Sequence, residues 1–206
     1  MKRTFILTIM ACILCLTGCE KDSHSGGIIG GNTDLTDSVT PPVVKWYKIV
    51  NYNGFDTFIM EIENVCTSAL DGDFKASFYD AGNNLICEVP GLYYTALAPG
   101  KKWIIWYNSA PIGNAVRAEI QNTTNAESYY TPIVPIKTKE QPLEDGVTLG
   151  FSSPNARETT VMVVFYENNN IVGLDSHSFF TVSDEHHYQC GNHFTHYETY
   201  AYAYTY

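Results

Sequence analysis

The chain has 206 residues, 45% hydrophobic and 17% charged, with 22 acidic against 12 basic side chains and a formal net charge of −10. That length holds one or two ordinary domains, and the apolar share speaks against a disordered chain. The acidic balance speaks against a nucleic-acid binder, which needs clustered Lys and Arg to displace counterions from phosphate. Fifteen Tyr, ten Phe and three Trp suit strands and contact surfaces.

Lys2 and Arg3 form a positive opening, and Phe5 to Leu16 is an apolar run of twelve residues. A spanning helix needs about 20 apolar residues, so this run has the length of a signal-peptide core. It ends in Leu16-Thr17-Gly18-Cys19, which resembles the bacterial lipobox. The resemblance implies cleavage after residue 18, a diacylglycerol on the Cys19 thiol and a protein held to the plasma or outer membrane of the bacterial envelope, facing periplasm or exterior. The expected parts are a signal peptide over 1–18 and a lipidated Cys19 opening a linker over 19–42. The covalent lipid is the only expected cofactor. Two or three acyl chains make a durable anchor, because each buried CH₂ contributes about 0.8 kcal/mol. Cleavage removes two cations and no acid, which moves the balance to −12. Such a body is repelled by anionic lipid headgroups.

Residues 20–42 are rich in Gly, Ser, Thr and Asp and lack an apolar period. They read as a flexible spacer ending at Pro41-Pro42, able to hold the following domain about 25 Å from the lipid. Processing leaves Cys66, Cys87 and Cys190. An export route permits a Cys66–Cys87 disulfide, and buried thiols acting as small apolar residues are the alternative.

From Val43 onward the pattern has period two. Phe58, Met60 and Ile62 share one strand face, with Thr57, Glu61 and Glu63 on the other. Phe74, Ala76 and Phe78 alternate with Lys75, Ser77 and Tyr79, and Val116, Ala118 and Ile120 with Arg117 and Glu119. Alternation of this kind marks antiparallel strands with one buried face. Asn53-Gly54, Asp71-Gly72, Gly82-Asn83-Asn84 and Pro99-Gly100 mark turns between them. No stretch offers an amphipathic helix of three turns.

The block Phe74–Asp80 aligns with Val161–Glu167 at an offset of 87, and both run through an Asn-rich turn into an apolar pair. The expected fold is therefore all-β, with two tandem antiparallel sandwiches at about 43–125 and 129–206. A period of about 87 is the size of one small Ig-like domain. Glu63-Asn64, Phe78-Tyr79-Asp80-Ala81-Gly82-Asn83 and Leu97-Ala98-Pro99-Gly100-Lys101 resemble the FxLYD-type Ig-like domain of bacterial envelope proteins. The resemblance covers most of 57–120 and is fainter over 147–206. It implies a fold and no catalytic residues.

Three groups of residues are candidate sites. Tyr200, Tyr202, Tyr204 and Tyr206 alternate with small residues at the carboxyl end. On a strand they form either an aromatic platform for sugar rings or a protein partner, or the core-facing side of a last strand equivalent to Val116-Ala118-Ile120. Trp106 poses the same question, and alternation sets it on the face opposite Trp103. His186, His187, Cys190, His193 and His196 follow His177 and supply donors suited to zinc or copper. Spacings of three do not put strand side chains on one face, so the alternative is a polar hairpin with histidines in water.

No G-x-S-x-G, H-E-x-x-H, G-x-x-x-x-G-K or GxGxxG is present, and the carboxylates fall on outward strand positions and turns, where a solvated surface is the default. The expectation is a non-catalytic binding or scaffolding role on an envelope protein or glycan, with a His-rich metal binder as a further reading.

Overall fold

The computed structural model describes residues 39–52, 54–108 and 112–206. The expected signal peptide over 1–18, Cys19 and all but the last four residues of the expected spacer lie outside them. The described residues form strands and no helix: β1 (Val43–Tyr52), β2 (Phe55–Glu63), β3 (Leu70–Tyr79), β4 (Leu85–Leu97), β5 (Lys102–Tyr107), β6 (Arg117–Glu127), β7 (Thr131–Ile133), β8 (Ile136–Leu143), β9 (Gly146–Ser152), β10 (Glu158–Glu167), β11 (Asn170–Phe179), β12 (Ser183–Gln189) and β13 (His196–Thr205). The all-β antiparallel architecture expected from the period-two pattern is what the chain adopts.

Residues that tolerate a left-handed backbone make the turns. Asn83 at φ 64° turns β3 into β4, Gly100 at φ 67° turns β4 into β5, and Asn168 and Asn169 at 49° and 66° turn β10 into β11. Gly and Asn pay the least for positive φ. The Asp80 carboxylate fixes the first of these turns by accepting from the Asn84 backbone N–H at 2.8 Å. The buried Asn64 side chain fastens another corner. Its amide donates to the carbonyls of Ser68 and Leu97, and its oxygen accepts from the Cys66 N–H. Glu63-Asn64 and the Leu97–Lys101 turn, far apart in sequence, therefore meet.

Four sheets result, ordered β1-β2-β5, β4-β3-β6, β11-β10-β13-β7 and β12-β9-β8. The second half repeats the first: β8-β9-β12 matches β1-β2-β5, and β11-β10-β13 matches β4-β3-β6, with β7 added beside β13. The aligned blocks fall on β3 and β10, each the middle of three matching strands.

The sheets stack in four layers. Phe58 of β2 meets Phe78 of β3 edge to face at 5.1 Å between centroids, which joins β1-β2-β5 to β4-β3-β6. Val161, Val163 and Phe165 of β10 pack with Val147, Leu149, Phe151 and Tyr188 of the β12-β9-β8 sheet. The opposite face of β10, Met162, Val164 and Tyr166, joins the cluster that holds Phe58, Ile59 and Phe78. Sheet β1-β2-β5 is thus covered on both sides, and so is sheet β11-β10-β13-β7.

That double coverage corrects one expectation. Alternation puts Thr57 and Glu61 on an outward face, yet both are buried, Glu61 at 3% exposure. The polar face of β2 is turned to the second half of the chain rather than to water. Val116 is exposed and lies before β6, while Ala118 is buried. The last spacer residues are docked: Val39 packs on the core, and the Thr40 carbonyl lies 3.4 Å from the Cys66 sulfur.

Candidate functional site

The tyrosine ladder lies on β13, hydrogen-bonded between β10 and β7. Register sets its direction. Met162 pairs with Tyr200 and Thr160 with Tyr202, whereas Val161 pairs with Ala201 and Phe165 with Tyr197. The tyrosines therefore share the Met162 face, which looks toward the first half of the chain. Equivalence with Val116-Ala118-Ile120 is off by one residue, since Ala118 pairs with the inward-facing Phe78. The position matching Ala118 is Tyr197, which packs near Phe165.

The ladder runs from burial to solvent. Tyr200 is buried, with its hydroxyl 2.7 Å from Glu61 Oε2 and 2.8 Å from Glu198 Oε2. Tyr166 donates to the same Glu198 oxygen at 3.0 Å, and Lys102 reaches Glu61 at 2.9 Å. Tyr202 is half-buried against Trp103, edge to face at 4.3 Å. Tyr204 lies tilted against Tyr130, 4.8 Å between centroids, and donates to Glu158. Tyr206 is exposed at 77%, with the Arg157 guanidinium over its ring and Tyr130 at 5.6 Å.

Burial, then the carboxylates at its hydroxyl, pushes the Tyr200 ionisation far up, so it stays a donor. Tyr204 is raised to about 12 by burial and by Glu158. Lys102 is raised by its bond to Glu61 and stays charged. Two carboxylates this close are the raw material of acid–base chemistry. Here the Tyr200 hydroxyl occupies the gap between them and the Lys102 ammonium takes the remaining Glu61 oxygen. A hydroxyl carries one proton, which Glu61 and Glu198 share. The arrangement clamps β2 to β13.

The exposed end of the ladder continues into a tyrosine-rich surface. Tyr93 there is exposed at 72%. Tyr93, Tyr94 and Tyr130 border a shallow depression with Asp71, Thr124 and Asn125. Trp106, paired with Ile59, is half-buried on the shared core; Trp103, paired with Ile62, lies on the other face as the alternation requires.

The histidines are dispersed. His177 of β11 stacks on His186 of β12 at 4.0 Å, with Asp184 Oδ2 2.7 Å from His177 Nε2. His187 turns to Thr148 and Asp145, His193 to Glu167, and His196 stacks on Tyr166. Cys190 is buried, its sulfur filling the space a side chain on Gly173 would need. Among the described residues no three His, Cys, Asp or Glu side chains converge on a point where an ion would fit. Cys66 is buried and Cys87 half-buried.

A cleft of about 480 Å³ lies between the Ala96–Lys102 turn, residues 132–137 and β13. Lys101, Lys102 and Lys137 open onto it. Sequence reading did not single out this cleft, because its walls come from three separated segments. The adjacent lysines after Pro99-Gly100 were its one local sign.

Comparison with known proteins gives no match: no family model, no curated protein and no solved structure corresponds to this chain.

Proposed function

We propose that the chain is a lipid-anchored protein of the bacterial envelope with a non-catalytic binding or scaffolding role. Cys19 carries the lipid, residues 20–42 form the tether, and two Ig-like sandwiches, 43–125 and 129–206, are displayed away from the membrane. The twofold strand order supports counting two sandwiches, and the meeting of Asn64 with the Leu97–Lys101 turn supports reading the first as FxLYD-type.

The observation that carries the binding role is the division of labour along β13. Tyr200 and Tyr202 bind the two halves together, while Tyr206 meets Tyr130, which borders a depression with the exposed Tyr93. Tyrosine supplies large contact area with a polar tip, which is why it anchors interfaces. Capture of envelope proteins on the purified chain tests this reading. A specific partner, lost in the Tyr93→Ser and Tyr206→Ser double variant, is expected; the same set of proteins on both chains would overturn it. Mass spectrometry of native material tests the anchor, and an unmodified Cys19 thiol would remove that part.

A second reading is favoured by one feature. Asp71, Thr124 and Asn125 border the same surface as Tyr93 and Tyr130, and a flat ring beside planar polar groups suits a sugar. Retention on a glycan array, lost in Tyr93→Ala, would replace a protein partner with a polysaccharide.

A further inference from the structure

The cleft between the Ala96–Lys102 turn and residues 132–137 is cationic in an acidic protein. Nine cations lie among the described residues. Six form ion pairs with carboxylates. Lys48 donates to the Asn169 carbonyl and Arg157 covers Tyr206. Lys101 alone among them has neither a carboxylate, a carbonyl nor a ring against it, and it faces this cleft. Lys102 and Lys137 flank it, bonded to Glu61 and Glu140, and no Asp or Glu lines the cavity. An ammonium beside a largely apolar wall attracts an anion more strongly than one in open water, because less solvent screens it.

Apart from Thr199, the rest of the wall's side chains are aliphatic and aromatic. Leu97, Pro132, Val134, Pro135 and Phe151 supply most of it, with Tyr202 at one side. Val134 is 65% exposed, an apolar side chain left in solvent at the rim. The volume of about 480 Å³ lies within the range of about 300–1,000 Å³ usual for small-molecule sites. A sugar is disfavoured, because its hydroxyls would leave water for walls offering few hydrogen-bond partners. An alkyl chain loses nothing there.

We propose that this cleft binds a single-chain anionic amphiphile, its alkyl chain along Leu97, Pro132 and Val134 and its headgroup on the Lys101 ammonium. The site is separate from the tyrosine surface and does not depend on what that surface binds. A carboxylate and a phosphate monoester share the required headgroup chemistry.

Isothermal calorimetry of the full chain in neutral detergent, with octanoate, octyl phosphate, 1-octanol and glucuronate as probes, tests it. Saturable binding of octanoate or octyl phosphate below about 1 mM is expected, and the tighter of the two identifies the headgroup. Octanol and glucuronate should bind at least about tenfold more weakly. Lys101→Glu and Val134→Asp should each weaken the anion about tenfold or more, with the urea midpoint unchanged because both side chains are exposed. No saturable binding of either anion, equal binding of octanol, equal or tighter binding of glucuronate, or full binding by Lys101→Glu would each overturn the proposal.

Discussion

The Tyr200 hydroxyl meets the Glu61 carboxylate at 2.7 Å although 139 positions separate the two residues in sequence. Glu61 comes from an alternating strand of the first half and Tyr200 from an alternating strand of the second. Between them they convert the polar faces of two sheets into one interior.

Tyr200→Phe keeps the ring and removes the shared proton. Glu61, buried, then keeps only its bond to Lys102. A hydrogen bond to a charged group contributes about 1.5–3 kcal/mol, so we expect a loss of that size in urea unfolding. A change below about 0.5 kcal/mol would mean that the clamp is incidental to stability.

Glycines separate close approach from turn geometry. A Cβ on Gly146 would lie 2.0 Å from the Tyr188 carbonyl oxygen, backbone of the paired strand β12 that cannot move aside. Gly146→Ala should cost about 3 kcal/mol, the upper end for a point change. Gly100 has positive φ and open space around it, so Gly100→Ala meets only conformational strain, about 1–2 kcal/mol. Thermal melts of the two variants should rank them in that order.

Thr159 Oγ1 is buried without a hydrogen-bond partner. Its hydroxyl was desolvated on folding with nothing regained, which costs about 1–3 kcal/mol. Thr159→Val nearly keeps the shape and removes that penalty, so the variant should be stabilised by about 1 kcal/mol or more, read as a higher urea midpoint. A destabilised variant would show that the hydroxyl is satisfied in solution.

Acid should weaken the β11–β12 contact. Burial, and next the charge of His177, lowers the His186 pKa from its ordinary 6.5. Below that value the unfolded chain binds a proton that the folded chain resists, so stability falls as pH drops from about 6.5 through the lowered pKa. His177, followed by backbone bonding, holds the Asp184 pKa down; its contribution is present above the ordinary carboxylate range and is lost on further acidification. Urea midpoints between pH 7.5 and 5.5 should decline for the native chain and flatten for His186→Gln. An unchanged slope in that variant would place the pH dependence elsewhere.

Much of the fold was written locally. Period-two alternation placed Phe58, Met60 and Ile62 on one face, Asn and Gly marked the turns, and the likeness of Phe74–Asp80 to Val161–Glu167 announced a repeated strand order. These signals are legible because backbone pleat and φ preference act over a few residues. What covers the second face of a strand is set by partners more than a hundred residues away, and alternation is silent about it. Glu61 looked like a surface carboxylate for that reason, and the ladder's tyrosines divided between clamp and surface only once β13 lay against β10. The cleft around Lys101 has the same origin: its cations and its apolar wall come from segments that only packing brings together.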